Sequence, residues 1–267
     1  MSKANFMGTL TDKNIKSLVL EGKLIIRDFE IDNVKQACYE LRASNIYYDL
    51  ADGNKKYELG QDEFILIKPK QLIVIITQET VELPDNIVGR IMTKGKLFSI
   101  GLLPINTYAD PGFSGQLGIV FNNLSNNYIK IKPKEAIAKI EFSKLHENVD
   151  RRYNGQHGYQ TKIWPVPDNM YLSNEEIRKD KRIKSTEEEI QLSYGAGLGN
   201  VVSRVFRFER HLIFAAVIYL FFSLLLIAVI TFKGGSFIEP LVSVIFGVVS
   251  NIIFSILVYL ATNLRRR

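Results

Sequence analysis

The run Asp110-Pro111-Gly112-Phe113-Ser114-Gly115 sets a carboxylate at the head of a tight turn. Asp-Pro-Gly is a turn sequence in its own right, because proline presets φ and glycine tolerates a left-handed backbone. A carboxylate in that setting can also accept a proton from a hydroxyl or hold a nucleophilic water. Asp110 is therefore either a plain turn residue or the centre of a site. Zinc chemistry has no comparable support. His146, His157 and His211 are scattered, and Cys38 is the only cysteine. Their spacing is not that of metal ligands, which argues against zinc-dependent deamination of a nucleobase. One cysteine also excludes an intramolecular disulfide.

The elements that must position this turn are mostly strands. Phe64–Ile67, Leu72–Ile76, Gly118–Phe121 and Tyr128–Ile131 are short and rich in β-branched or aromatic residues, with Pro, Gly, Asn or Asp between them. Val81–Asp85 reads as a further turn. A helix precedes them, capped by Thr9 or Thr11, with Ile15, Leu18 and Val19 on one face and Gly22 at its end. Many short strands predict a mainly β barrel or jelly-roll body.

Two apolar runs close the chain, Leu212–Phe232 and Pro240–Leu264, each without a charged residue. Each is long enough to cross a hydrocarbon core of about 30 Å as a helix. Lys233-Gly234-Gly235-Ser236 joins them, so the pair reads as a two-span membrane hairpin. The net charge is +6, and a basic chain can signal nucleic acid. Here Arg204, Arg207 and Arg210 precede the first run and Arg265, Arg266 and Arg267 follow the second. That placement speaks for a membrane and against nucleic acid, with the body and both termini cytoplasmic. The first residues carry no secretory pattern. The second run bears a stripe of small and polar residues, Ser243, Gly247, Ser250, Asn251 and Ser255, suited to a helix–helix interface. Three segments follow: a body over 1–165, a charged connector over 166–210, and the hairpin over 211–267. In the connector Ser173 can open a helix and Gly195–Gly199 reads as a hinge.

The body resembles the dCTP deaminase and dUTPase superfamily, and the bacterial and archaeal dCTP deaminases most of all. The resemblance covers about residues 8–165. It rests on Leu10–Lys16, Glu21–Ile26, Tyr39-Glu40-Leu41-Arg42, Glu82–Arg90, Asp110–Gly115, Ala136–Phe142 and Arg152–Gly158, taken in order. It implies a dUTPase-like jelly-roll, a nucleotide ligand at subunit interfaces, and a homotrimer. By the same resemblance Asp110 meets the sugar hydroxyl or orients water, with Phe113 in the same motif. Arg152, Tyr153 and Gln156 belong to a closing segment that reaches phosphate and base. The family's phosphate motif Arg-Ser-Ser-x-x-Arg falls on Lys94–Ser99, where Lys94 replaces the first Arg, both serines are gone, Lys96 adds charge, and Ser99 stands for the last Arg. Lysine is a point charge and lacks the bidentate fork of arginine.

The deaminases carry a catalytic Glu ten residues beyond the Asp, and that position here is Val120. Valine cannot shuttle a proton to the cytosine amino group. The residues thus predict a membrane-anchored nucleotide-binding protein of sensor or effector type without deaminase activity, needing no cofactor to bind. Two alternatives stand beside it. One is a membrane-tethered dUTPase or nucleotide pyrophosphatase using Asp110 and Mg²⁺ with a triphosphate. The other is a trimeric platform.

Overall fold

The computed structural model describes residues 7–155, 158–159, 162–165, 168–233, 247–249 and 251. The chain forms two compact units, Met1–Asp168 and Asn169–Arg267.

In the first unit the strands are β1 (Gly8–Thr9), β2 (Leu24–Arg27), β3 (Val34–Lys35), β4 (Cys38–Asp49), β5 (Lys55–Glu58), β6 (Ile65–Ile67), β7 (Leu72–Glu82), β8 (Ile87–Thr93), β9 (Leu102–Pro104), β10 (Tyr108–Ala109), β11 (Ser114–Asn123), β12 (Ile129–Ile131) and β13 (Ala136–Lys144). Two helices join them, α1 (Asp12–Leu20) and α2 (Gly95–Phe98). The main path of pairing runs β10-β8-β13-β4-β7-β11-β9, while β6 and β12 form a separate ladder. Strand β4 bends between Ala43 and Tyr47; its first half pairs with β13 and its second with β7. The mainly β body is therefore as expected.

Thr11 caps α1 through a reciprocal box with Asn14, and Ile15 beneath it is fully buried. The expected turn at Val81–Asp85 starts later, because Val81 and Glu82 still pair with Gly115 and Ser114. Strand β7 is buried on both faces. Ile73 and Ile75 enter the main core with Ile119, Phe121, Ile140 and Phe142. Val74 and Ile76 enter a second cluster on the outer side, with Tyr48 and Tyr159.

The second unit holds α3 (Asn174–Lys179), α4 (Thr186–Tyr194) and α5 (Ala196–Lys233). Ser173 with Glu176 and Ser185 with Glu188 form the capping boxes of α3 and α4. The expected glycine hinge reduces to one residue. Gly195 has φ +86° and ends α4, whereas Gly197 and Gly199 lie inside α5. Gly199 sits where a Cβ would come within 2.7 Å of Gln191, so its lack of a side chain lets α4 approach α5. No break separates connector from apolar run at 210–211, because no Pro or Gly interrupts the helix there. Within α5, Ala196–Leu225 is long and apolar enough to cross a membrane by length and composition. Of the second expected span, Gly247–Val249 and Asn251 are helical; Ser243, Ser250 and Ser255 lie outside the described residues.

Candidate functional site

Ala109 pairs with Gly89, so Asp110 emerges beside the start of β8 with an exposed side chain. Its carbonyl accepts from the Phe113 N–H at 2.9 Å and closes the turn. Gly112 has φ +88° and donates to the Leu83 carbonyl at 3.1 Å. A Cβ at Gly112 would collide with the Arg152 side chain. Glycine is thus required twice there, by backbone angle and by close approach. Arg152 Nε lies 3.1 Å from Asp85 Oδ1. The Tyr153 N–H donates to the Pro111 carbonyl at 3.0 Å, and its ring centre is 5.9 Å from that of Phe113. Asp110, Phe113, Arg152 and Tyr153 therefore gather around one turn, although 42 positions of sequence separate the first and third. Gln156 lies outside the described residues.

The basic residues lie elsewhere. Lys94 precedes the single turn of α2 and pairs with Glu40 at 2.6 Å, both side chains mostly buried. Lys96 pairs with Glu135 at 3.4 Å and is largely exposed. The Ser99 hydroxyl donates to the Lys96 carbonyl at 2.9 Å. Asp110 stands at one end of β8 and Lys94 follows the other, which separates them by roughly 20 Å at ~3.3 Å per residue. Asp110 with Arg152 nearby thus lies at one end of β8, and Lys94 and Lys96, each paired with a glutamate, lie at the other. A carboxylate and two ammonium groups that far apart cannot grip one small phosphate ester within a single copy.

Val120 projects from β11 on the side away from the main core. There it packs against the cluster of Tyr48, Val74, Ile76 and Tyr159, as Trp164 also does. Trp164 lies on Gly118, where a Cβ would overlap its ring. The Tyr159 N–H donates to the Gln116 carbonyl at 2.8 Å. The Tyr48 hydroxyl donates to that of Tyr159 at 3.2 Å, and burial together with this bond pushes the Tyr48 phenol up to about 12. Around Gly118 and Val120 the outer face of β11 is therefore apolar and lies against the chain's own later residues. Gly118→Ala should unseat the indole. Trp164 is the only tryptophan, so its emission should shift to the red; an unchanged spectrum would mean the ring does not rest on β11.

The sequence reading missed one buried ionic group. Glu79 is 0% exposed. Its carboxylate accepts from Arg42 Nε at 2.7 Å, the Arg42 N–H at 2.9 Å and the Tyr39 hydroxyl at 3.3 Å. Arg42 Nη2 also donates to the Asp28 carbonyl. Burial raises the Glu79 carboxyl above its ordinary value, and the Arg42 bonds oppose that rise. Burial, then Glu79, pushes the Tyr39 phenol up to about 12. The group joins β4 to β7 and is structural in its surroundings. Among the described residues no three His, Cys, Asp or Glu side chains converge as a metal site would need.

Residues 9–145 match the family model described as dCTP deaminase-like. Among curated proteins, the chain is 28% identical to a dCTP deaminase of Thermococcus gammatolerans over 160 residues, covering 60% of this chain and 96% of that one. It is likewise 28% identical to a dUMP-forming dCTP deaminase of Pseudarthrobacter chlorophenolicus over 185 residues, covering 61% and 96%. Among solved structures, the 2′-deoxycytidine 5′-triphosphate deaminase of Agrobacterium tumefaciens aligns with a TM-score of 0.46 at 17% identity, over 52% of this chain and 49% of that one. The EIAV dUTPase aligns with a TM-score of 0.31 at 20% identity, over 43% and 95%.

Proposed function

We propose a function from the premise that the chain belongs to the dCTP deaminase-like family. It is a membrane-anchored nucleotide-binding protein of sensor or effector type, and it does not deaminate. The observation that carries this reading is the contrast along one hairpin. Asp110 stays exposed at the turn with Phe113, Arg152 and Tyr153 gathered about it, while Val120 on the following strand faces an apolar cluster. The first arrangement suits recognition of a sugar hydroxyl. The second offers no proton carrier. Completion of a nucleotide site then needs the Asp110 end of one copy against the Lys94 end of another, which fits an oligomer such as the homotrimer the resemblance implies. Phe214, Val217, Phe221 and Leu224 on α5 are exposed, which supports burial of this helix in lipid, with the body cytoplasmic.

A nucleotide should therefore stabilise the chain by mass action, by about 2.7 kcal/mol at roughly a hundredfold excess over the dissociation constant, and raise its melting point. Asp110→Ala should cut that shift while leaving the unliganded melting point in place. If no nucleotide in a panel of deoxynucleoside mono- and triphosphates moves the melting curve, the binding reading fails and the trimeric platform replaces it.

A pyrophosphatase is the second reading, favoured because phosphate hydrolysis does not need a Glu at 120 and Asp110 remains exposed. Among the described residues no cluster of three His, Cys, Asp or Glu ligands includes Asp110, so on this reading the triphosphate would supply most Mg²⁺ ligands. Release of pyrophosphate or phosphate from any member of the same panel decides for this reading.

A further inference from the structure

The head of α5 carries a feature that the nucleotide reading leaves unused. Arg204, Arg207 and Arg210 recur every third residue and share one side of the helix. Directly after them comes the charge-free run from Leu212 to Phe232. Arg207, Arg210, His211 and Phe214 line one open cavity of about 590 Å³. Arg207 Nε donates to the Ser203 carbonyl at 3.3 Å, and His211 Nδ1 lies 2.6 Å from the Arg207 carbonyl. These contacts tie the side chains to the helix that carries them. Arg210 Nη2 lies 3.3 Å from Glu187 Oε1 on α4, whose first turn is Glu187, Glu188 and Glu189.

We infer that this cavity binds the phosphate of an anionic phospholipid headgroup and that Glu187 is its built-in competitor. The inference rests on the membrane reading above. Guanidinium groups recognise phosphate through planar, paired N–H donors. The order along α5 is an arginine pair, then the apolar run with Phe214 in its first turn. That order matches headgroup and hydrocarbon. Glu187 and Arg210 are 34% and 68% exposed in their side chains. A pair so exposed is weak, so a lipid phosphate that engages Arg207 and Arg210 together displaces the carboxylate. Membrane contact and loss of the Arg210–Glu187 pair are then one event.

The test uses the full chain in detergent, with retained lipid counted by native mass spectrometry after exchange against phosphatidylglycerol or phosphatidylcholine. Phosphatidylglycerol should be kept in preference. Arg207→Gln with Arg210→Gln should weaken that retention roughly tenfold or more, at about 1 kcal/mol per arginine. Glu187→Gln should strengthen it by about threefold, since it removes a weak competing pair. The opposite signs separate the effect from misfolding. Equal retention of both lipids, indifference to the arginine substitutions, or displacement of the lipid by inorganic phosphate would each overturn the headgroup site. Alkaline carbonate washing of native membranes tests the underlying reading by itself. Release of the chain sinks the membrane anchor, and the headgroup site with it. Retention without lipid preference sinks the headgroup site alone.

Discussion

Glu79→Ala should destabilise the β-body by about 3 kcal/mol, the scale for removing one partner of a buried ion pair. For a unit of this size that lowers the melting point by roughly 6–12 °C. The substitution strands Arg42, whose side chain is only 15% exposed, and takes an acceptor from the Tyr39 hydroxyl. Thermal unfolding of the full chain, followed by the circular dichroism of its sheet, reads the effect. The sign of the pH dependence follows from the raised carboxyl. The stability tied to it is complete below the ordinary carboxylate range and is lost as pH rises through its value in the folded chain. Glu79→Gln should flatten that part of the profile. A melting point for Glu79→Ala within about 2 °C of the wild type would refute the assignment.

Against dCTP, the chain should release ammonia slower than roughly 0.01 per second. Enzyme turnover commonly begins near 1 per second, and loss of an acid–base group costs about 10²–10⁴. Val120→Glu should not restore the reaction. It would introduce a carboxylate among Tyr48, Val74, Ile76 and Trp164, an apolar site where an unpaired charge is costly. Ammonia release near 1 per second from the unaltered chain would end the non-deaminating reading.

The parts of this fold that were legible in the sequence are those where neighbours along the chain decide the outcome. A threonine at 9 or 11 ahead of Ile15, Leu18 and Val19 announced the start of α1, and Ile73 to Ile76 announced the heart of β7. Strand β4 was visible only through the family phrase at Tyr39–Arg42. Its alternation fails at Ser44 and Asn45, where the strand bends between its two partners. The three glycines after Tyr194 looked alike, yet one turns the chain and another admits a neighbouring helix; tertiary packing separates those roles. Half of the candidate site was legible for the same reason. The turn around Asp110 is local. The pairing of Lys94 with Glu40, the Arg42–Glu79 bond and the seat of Trp164 on Gly118 join residues dozens of positions apart, and no local pattern marks them.

The pairing of Gly8 with Lys144 has a consequence for how the chain is made. The first strand waits for the last, so the body cannot close until β13 has been synthesised. Leu212, where the charge-free run begins, is added about 70 residues later, which at roughly 5–20 residues per second is a delay of some 3–14 seconds. Sheet proteins rich in distant contacts fold in milliseconds to seconds. The stretch between β13 and Leu212 therefore sets a delay during translation, in which the β-body can be finished before the charge-free run is delivered.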